Sequence, residues 1–233
     1  MKNFIVLLLV LFPLLAFGQS RASVELLAGA NLTARTAPVV ANEKAVMGYN
    51  FGFMASSPFK RQRLHWLAGL QFSTYGQKYE QDVLRWGSQH NGNGGFDPDI
   101  PSGETVTAVA LQHTYFFLEV PLGVRYYLTQ GKVKLFVQPS VSPALFLTQR
   151  TDANYRYSDR PDLQKTSNGN TGNLRTMNLV AALGAGLEMP LSTNLNLQLM
   201  PQAGIQAFST AKNNTDNSRM YAAGLRAGLK LVL

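Results

Sequence analysis

Tyr221-Ala222-Ala223-Gly224-Leu225-Arg226-Ala227-Gly228-Leu229-Lys230-Leu231-Val232-Leu233 is the stretch whose reading decides the fold. Its odd positions carry Tyr221, Leu225, Leu229, Leu231 and Leu233, while its even positions carry Gly224, Arg226, Gly228 and Lys230. A period of two is that of a strand whose successive side chains point to opposite faces. Neither face looks like the surface of a soluble sheet. One is purely apolar, and the other mixes cations with glycine where a solvated strand would carry a dense polar cover.

Working outward, seven further segments repeat the pattern. In the first, Val24, Leu26, Ala28, Ala30 and Leu32 oppose Glu25, Leu27, Gly29, Asn31 and Thr33. The second sets Met47, Tyr49, Phe51 and Phe53 against Gly48, Asn50, Gly52 and Met54, and the third sets Leu64, Trp66, Leu70 and Phe72 against His65, Gly69, Gln71 and Ser73. The fourth opposes Leu118, Val120, Leu122, Val124 and Tyr126 to Glu119, Gly123, Arg125 and Tyr127. The fifth pairs Leu135, Val137, Val141, Leu145 and Leu147 with Gln138, Ser140, Ser142 and Thr148. Leu179, Leu183 and Leu187 face away from Asn178, Gly184 and Glu188 in the sixth, as Leu195, Leu197, Leu199 and Ile205 do from Asn196, Gln198 and Gln206 in the seventh.

Across all eight segments the charges are Glu25, Glu119, Arg125, Glu188, Arg226 and Lys230, and every one lies on the non-apolar parity. Chance would put all of them there in roughly one arrangement of sixty-four, given two faces per strand. A face cleared of charge suits lipid, where a mid-bilayer Lys or Arg costs about 2–4 kcal/mol. The opposite face, rich in Gly, Ser, Asn and Gln, suits a crowded interior. The expected fold is therefore all-β: an eight-stranded antiparallel up-and-down transmembrane β-barrel, its first strand (from Val24) paired with its last (to Leu233).

The connections alternate in length as such a barrel requires. Ala34–Ala45, Gln81–Thr105, Gln149–Asn173 and Thr210–Arg219 are long, whereas Ser56–Arg63, Thr129–Lys132 and Pro190–Asn194 are short. Long loops outside and short periplasmic turns put both termini in the periplasm and the protein in the outer membrane of a Gram-negative cell. Trp66 and Tyr126 fall near the expected periplasmic ends and Tyr49 and Tyr221 near the outer ones, on the lipid parity. Ahead of the strands, Lys2, the apolar run Phe4–Leu15 and Ala16-Phe17-Gly18 read as a secretory signal peptide. The expected organisation is a cleaved segment 1–18 and a barrel domain 19–233.

Composition agrees. Charged residues make up 15% of the chain against roughly 25% in a soluble domain. The absence of cysteine excludes disulfides, a thiol nucleophile and a cysteine zinc site.

Leu118-Glu119-Val120-Pro121-Leu122-Gly123-Val124-Arg125-Tyr126-Tyr127, Leu67-Ala68-Gly69-Leu70-Gln71-Phe72-Ser73, Phe136-Val137-Gln138-Pro139 and Gly228-Leu229-Lys230-Leu231-Val232-Leu233 carry a resemblance. They resemble the small outer-membrane β-barrel proteins of the Bacteroidota, the PorT-like or porin-family class. The resemblance spans the mature chain and implies a barrel, an assembly-machinery signal at the C-terminus and, at family level, an accessory role in type IX protein secretion. The family usually ends in an aromatic residue, and Leu233 departs from that. Pro139, Pro143 and Pro201 fall inside strands, where the missing donor predicts bulges or rim positions.

Candidate chemistry is sparse. Glu25, Glu119, Arg125, Glu188, Arg226 and Lys230 form the main constellation, three acids against three bases, and all but Arg226 fall towards the periplasmic end. They read as a paired structural network filling a narrow barrel; a charged solute path is the other reading. Glu25 with Lys230 is the expected first pair. His113 shares the inward parity and would approach Ser73, a pair reminiscent of a hydrolase, but no carboxylate orients it, and a rim histidine is the plainer reading; His65 and His90 are isolated. Asn and Asp oxygens in the 88–99 loop could hold calcium, although the same residues are ordinary turn formers. No catalytic residue, cofactor or metal site is expected, and the protein is read as non-enzymatic.

The net charge of +8 resolves by location. Outside the nearly balanced loops and interior, the excess sits on Arg21, Lys60, Arg61, Arg63, Lys132 and Lys134 and the leader's Lys2, with no basic helix or stacking platform for nucleic acid. The expected partners are outer-membrane lipid, the outer-membrane assembly machinery and an extracellular or secretion-system protein reached through the outer loops.

Overall fold

The alternation becomes a wall with two unlike sides. In a computed structural model, residues 22–36, 43–59, 63–82, 106–157, 161–169, 174–212 and 218–233 are described. The 1–18 segment and the 88–99 loop lie outside them, as does His90. Ten strands run in chain order: β1 Ser23–Arg35, β2 Val46–Pro58, β3 Leu64–Asp82, β4 Val106–Glu119, β5 Leu122–Tyr127, β6 Lys134–Tyr157, β7 Leu163–Gly169, β8 Met177–Pro190, β9 Leu195–Gln206 and β10 Met220–Val232. β4 and β5 are one wall strand interrupted at Val120–Pro121, pairing with successive stretches of β3. β7 adds only to the upper part of β6. The ring thus has eight antiparallel members and is closed by β1 against β10.

The register fixes the shape. Following cross-strand partners once around, Val24 leads through Ala55, Ala68, Leu122, Val141, Ala181, Ile205 and Tyr221 back to β1 at Ala34, a displacement of ten residues. Such a stagger tilts the strands by roughly 40° to the barrel axis and gives an interior just wide enough to be filled by side chains. Small residues let the strands approach. A side chain at Gly224 would run into the Ala30 carbonyl and the Asn31 backbone.

The faces fall as the alternation dictates. Leu26, Met47, Phe51, Phe53, Leu183, Leu225 and Leu229 all face outward, Met47 with 72% of its surface exposed. Rings of Tyr49, Phe51, Phe72 and Phe116 form a contiguous aromatic stripe on that side, with centroids 5.1–6.2 Å apart. An exterior this continuously apolar does not suit water. Closure leaves no unpaired sheet edge in the ring, the condition for placing strands in lipid.

Three expectations change. The prolines produce neither bulges nor rims. Register runs unbroken from Lys134↔Glu188 to Leu145↔Met177 past Pro139 and Pro143, and from Tyr221↔Ile205 to Leu231↔Leu195 past Pro201. On their other sides the ladder skips the pairs at Pro139 and Pro201, because neighbouring residues hold the register while the missing N–H costs only local bonds. Register shifts fall instead between β4 and β6, at Phe116/Phe117, opposite Leu147, and at Val106/Ala108, at the start of β4. Leu147 and Thr148 therefore both face outward, and Thr148 is not an inward residue as strict alternation predicted. Finally, Gln149–Asn173 is largely not a loop. β6 continues to Tyr157 and β7 returns beside it, a polar sheet above the apolar belt where both faces meet solvent and no hydrophobic period survives.

Candidate functional site: a layered barrel interior

Inward parity brings four of the six predicted charges into one layer. From β5, Arg125 spans the interior to Glu25 on β1 in a bidentate pair, Nη1–Oε1 2.7 Å and Nη2–Oε2 2.8 Å. The remaining guanidinium donors reach Gln138 Oε1 at 3.0 and 2.7 Å, and Phe136 lies under its carbon at 4.5 Å from the ring centroid. Both partners are wholly buried. A planar fork facing a carboxylate is the arrangement that makes Arg effective in such pairs.

Lys230 extends the layer from β10. Its ammonium donates to Glu188 Oε2 at 3.1 Å and to the Tyr127 hydroxyl at 2.8 Å, while that hydroxyl donates to Glu188 at 2.6 Å. Asn196 and Gln198 complete the Glu188 carboxylate, at 3.0 and 3.1 Å. Glu25 and Lys230 are register partners, yet their charged atoms are 4.0 Å apart. The first partner of Glu25 is thus Arg125 rather than Lys230. The guanidinium of Arg125 reaches both Glu25 oxygens from across the barrel, whereas Lys230, adjacent along the wall, stays 4.0 Å away.

Glu119 and Arg226 occupy a second layer and do not meet. Glu119 accepts from the Tyr75 hydroxyl at 3.0 Å and Gln71 Nε2 at 3.3 Å. Arg226 donates to Asn50 Oδ1 at 3.0 Å and to Gln71 Oε1. Gln71 therefore links acid to base through its amide, its dipole donating to one and accepting from the other. Beside this layer, Asn31, Ser73, Ser142 and Gln202 help to line a void of about 30 Å³, room for about one water.

A third layer was missed in the sequence. Tyr75, Tyr115, Phe117, Ala144, Phe146, Val180 and Met220 form a buried cluster inside the wall. Phe117 is edge-on to Tyr75 and Phe146, with centroids 5.6 and 5.7 Å apart. The signal was weak because Phe116-Phe117 and Leu145-Phe146-Leu147 are apolar on both parities. Gln138, Gln198 and Tyr127 could have been found, since all stand on the inward parity next to charges.

His113 and Ser73 are not brought together. Opposite Ser73 on β4 stands Phe117, and opposite His113 stands Gln77. His113 Nδ1 instead lies 2.9 Å from both Thr151 Oγ1 and Gln149 Nε2. Among the described residues no group of three His, Cys, Asp or Glu is placed to hold a metal ion.

No protein-family model matches the chain, and no curated protein does. Similar solved structures include neisserial surface protein A, 11% identical over 91% of this chain and 99% of that one, with a TM-score of 0.46. The outer membrane enzyme PagL is 12% identical, covering 88% and 97% at a TM-score of 0.42, and the outer membrane protease OmpT of Escherichia coli is 9% identical, covering 93% and 98% at 0.42. At these identities the likeness is one of fold.

Proposed function

We propose that the protein is a non-enzymatic integral outer-membrane β-barrel that does not conduct, and that works through contacts made at its long-strand end. The carrying observation is the succession of three filled layers, of which the middle one retains a void of only about 30 Å³. Ions crossing such an interior would have to break the Arg125–Glu25 pair or pass between Phe117 and its ring partners. The six interior charges then serve structure: Glu25, Arg125, Glu188 and Lys230 offset one another, and Glu119 and Arg226 are held by neutral polar partners that meet at Gln71. Support for the membrane itself comes from the apolar exterior and the closed ring.

Planar bilayer recording tests the reading. The purified protein should insert without stepwise conductance. Steady ion-selective steps, altered by Glu119→Gln, would establish a narrow channel instead. The resemblance of Leu118–Tyr127 and its companions to Bacteroidota barrels supports a secretion accessory as the role such contacts serve. Co-purification with type IX components tests it, and retention of none of them counts against it.

A further inference from the structure

Above the apolar belt, β3, β4, β6 and β7 continue as a four-stranded extension, and its outward face changes character within one pleat. Phe116 and Thr148 are register partners at the top of the belt; Thr114 and Arg150 are the next pair on the same face. Beyond them Lys78, Gln112, Asp152 and Thr166 stand side by side across all four strands. We propose that this face is a headgroup site for a phosphorylated membrane lipid whose acyl chains lie against the belt below. The proposal rests on the membrane reading above and adds the partner.

Three observations carry it. First, a groove of about 310 Å³ is lined there by Lys78, Arg150, Arg156 and the carboxylate of Asp152, together with amides. The two acids nearby are engaged: Asp152 accepts from Arg150 at 2.9 Å and from Thr166 at 2.7 Å, and Glu80 pairs with Arg156 at 2.7 Å. Lys78 has no side-chain partner among the described residues, which leaves positive charge on this face; Lys165, the cross-strand partner of Ala153, stands on the other one. Second, Lys78 stands directly opposite Lys44, joined to it by backbone hydrogen bonds of 2.6 and 3.1 Å. Like charges placed opposite each other destabilise a strand pair, and an anion between them removes that cost. Third, Asn154 lines the groove with a buried side-chain oxygen that lacks a donor, as a hydroxylated headgroup would supply. A free phosphate would satisfy the cations alone. Continuity of the cationic face with an apolar one selects an amphiphile.

Binding of purified lipopolysaccharide to the full barrel tests the site, with inorganic phosphate and phosphatidylcholine vesicles as the other probes. Lys78→Gln should weaken lipopolysaccharide binding about fivefold, the effect of one charge near a membrane surface. Lys78→Arg should retain binding, and Lys132→Gln, in the turn at the opposite end, should leave it unchanged. Equal weakening by Lys132→Gln would show unspecific charge attraction and overturn the proposal, as would inorganic phosphate displacing the lipid at comparable concentration. Wild-type protein that never inserts into vesicles sinks the membrane reading and the site with it. Insertion without Lys78-dependent binding sinks the site alone.

Discussion

The ionic layer around Arg125 and the aromatic layer around Phe117 fill the same barrel by opposite means. Below, Glu25, Arg125, Glu188 and Lys230 are held by directional bonds of 2.6–3.1 Å, with Tyr127, Gln138 and Gln198 closing the remaining valences. Above, Tyr75, Tyr115, Phe117 and Phe146 occupy space by shape, with ring contacts near 5.7 Å. The comparison teaches that interior polarity in a narrow barrel need not mean a path. In the non-conducting barrel proposed above, a charged layer whose members are all satisfied obstructs the lumen as a packed apolar one does, but the penalty for disturbing it is larger, because a broken pair leaves a buried charge rather than a hole.

The largest expected effect follows from that asymmetry. Arg125→Met should destabilise the barrel by about 4 kcal/mol, since it leaves the wholly buried Glu25 carboxylate without its bidentate partner. Urea titration in lipid vesicles measures it. The double variant Glu25→Met with Arg125→Met should recover much of the loss. If it does not, packing rather than charge holds the lower layer and the contrast between layers disappears.

Phe117→Ala sharpens the other half. Removing a fully buried ring should cost about 3 kcal/mol and leave a cavity. Bilayer conductance should stay at baseline, because the Arg125–Glu25 pair still spans the interior. Conductance appearing in Phe117→Ala would make the aromatic layer the sole barrier.

The sequence revealed these layers unequally, for a physical reason. Charge confined to one parity is improbable enough that Glu25, Arg125, Glu188 and Lys230 announced both the inward face and its polarity. Pairing within that face was less legible: Glu25 and Lys230 are neighbours along the wall, but reach and planarity give Glu25 to Arg125. Phe117 and Phe146 carried no signal, since an apolar residue fits lipid and core alike and alternation cannot assign it. Above the belt the period vanished altogether. There Arg150–Tyr157 and Leu163–Gly169 form strands through backbone pairing, with side chains free to be polar on both sides.

Glu119→Gln probes the layer between the two. Glu119 touches Tyr75 and Gln71, and no ion pair joins it among the described residues. The amide keeps an oxygen for the Tyr75 hydroxyl, so the loss should be about 1 kcal/mol, the value of one charge-assisted bond weakened to a neutral one. A loss matching that of Arg125→Met would mean that Arg226 neutralises Glu119 directly, and the linkage through Gln71 would be wrong.

The smallest effect tests where the aromatic layer ends. Strict alternation from Ser140 and Ser142 would turn Thr148 inward, among Tyr115 and Phe146. The register shift at Phe116/Phe117 turns it outward beside Leu147, and Gln149 becomes the next inward residue. Thr148→Leu separates these placements. Outward, the larger apolar side chain meets lipid or the lower edge of the headgroup region, and stability should change by less than about 0.5 kcal/mol, the range of an unconstrained surface position. Inward, it would be forced into a packed aromatic cluster at about 1–3 kcal/mol. Urea midpoints of Thr148→Leu and of the companion Gln149→Leu, measured in the same vesicles, decide between them. Gln149→Leu should be the more destabilising of the two, because Gln149 is 5% exposed and donates at 3.0 Å to Thr151. The reverse order would remove the bulge and hand the top of the aromatic layer back to simple alternation.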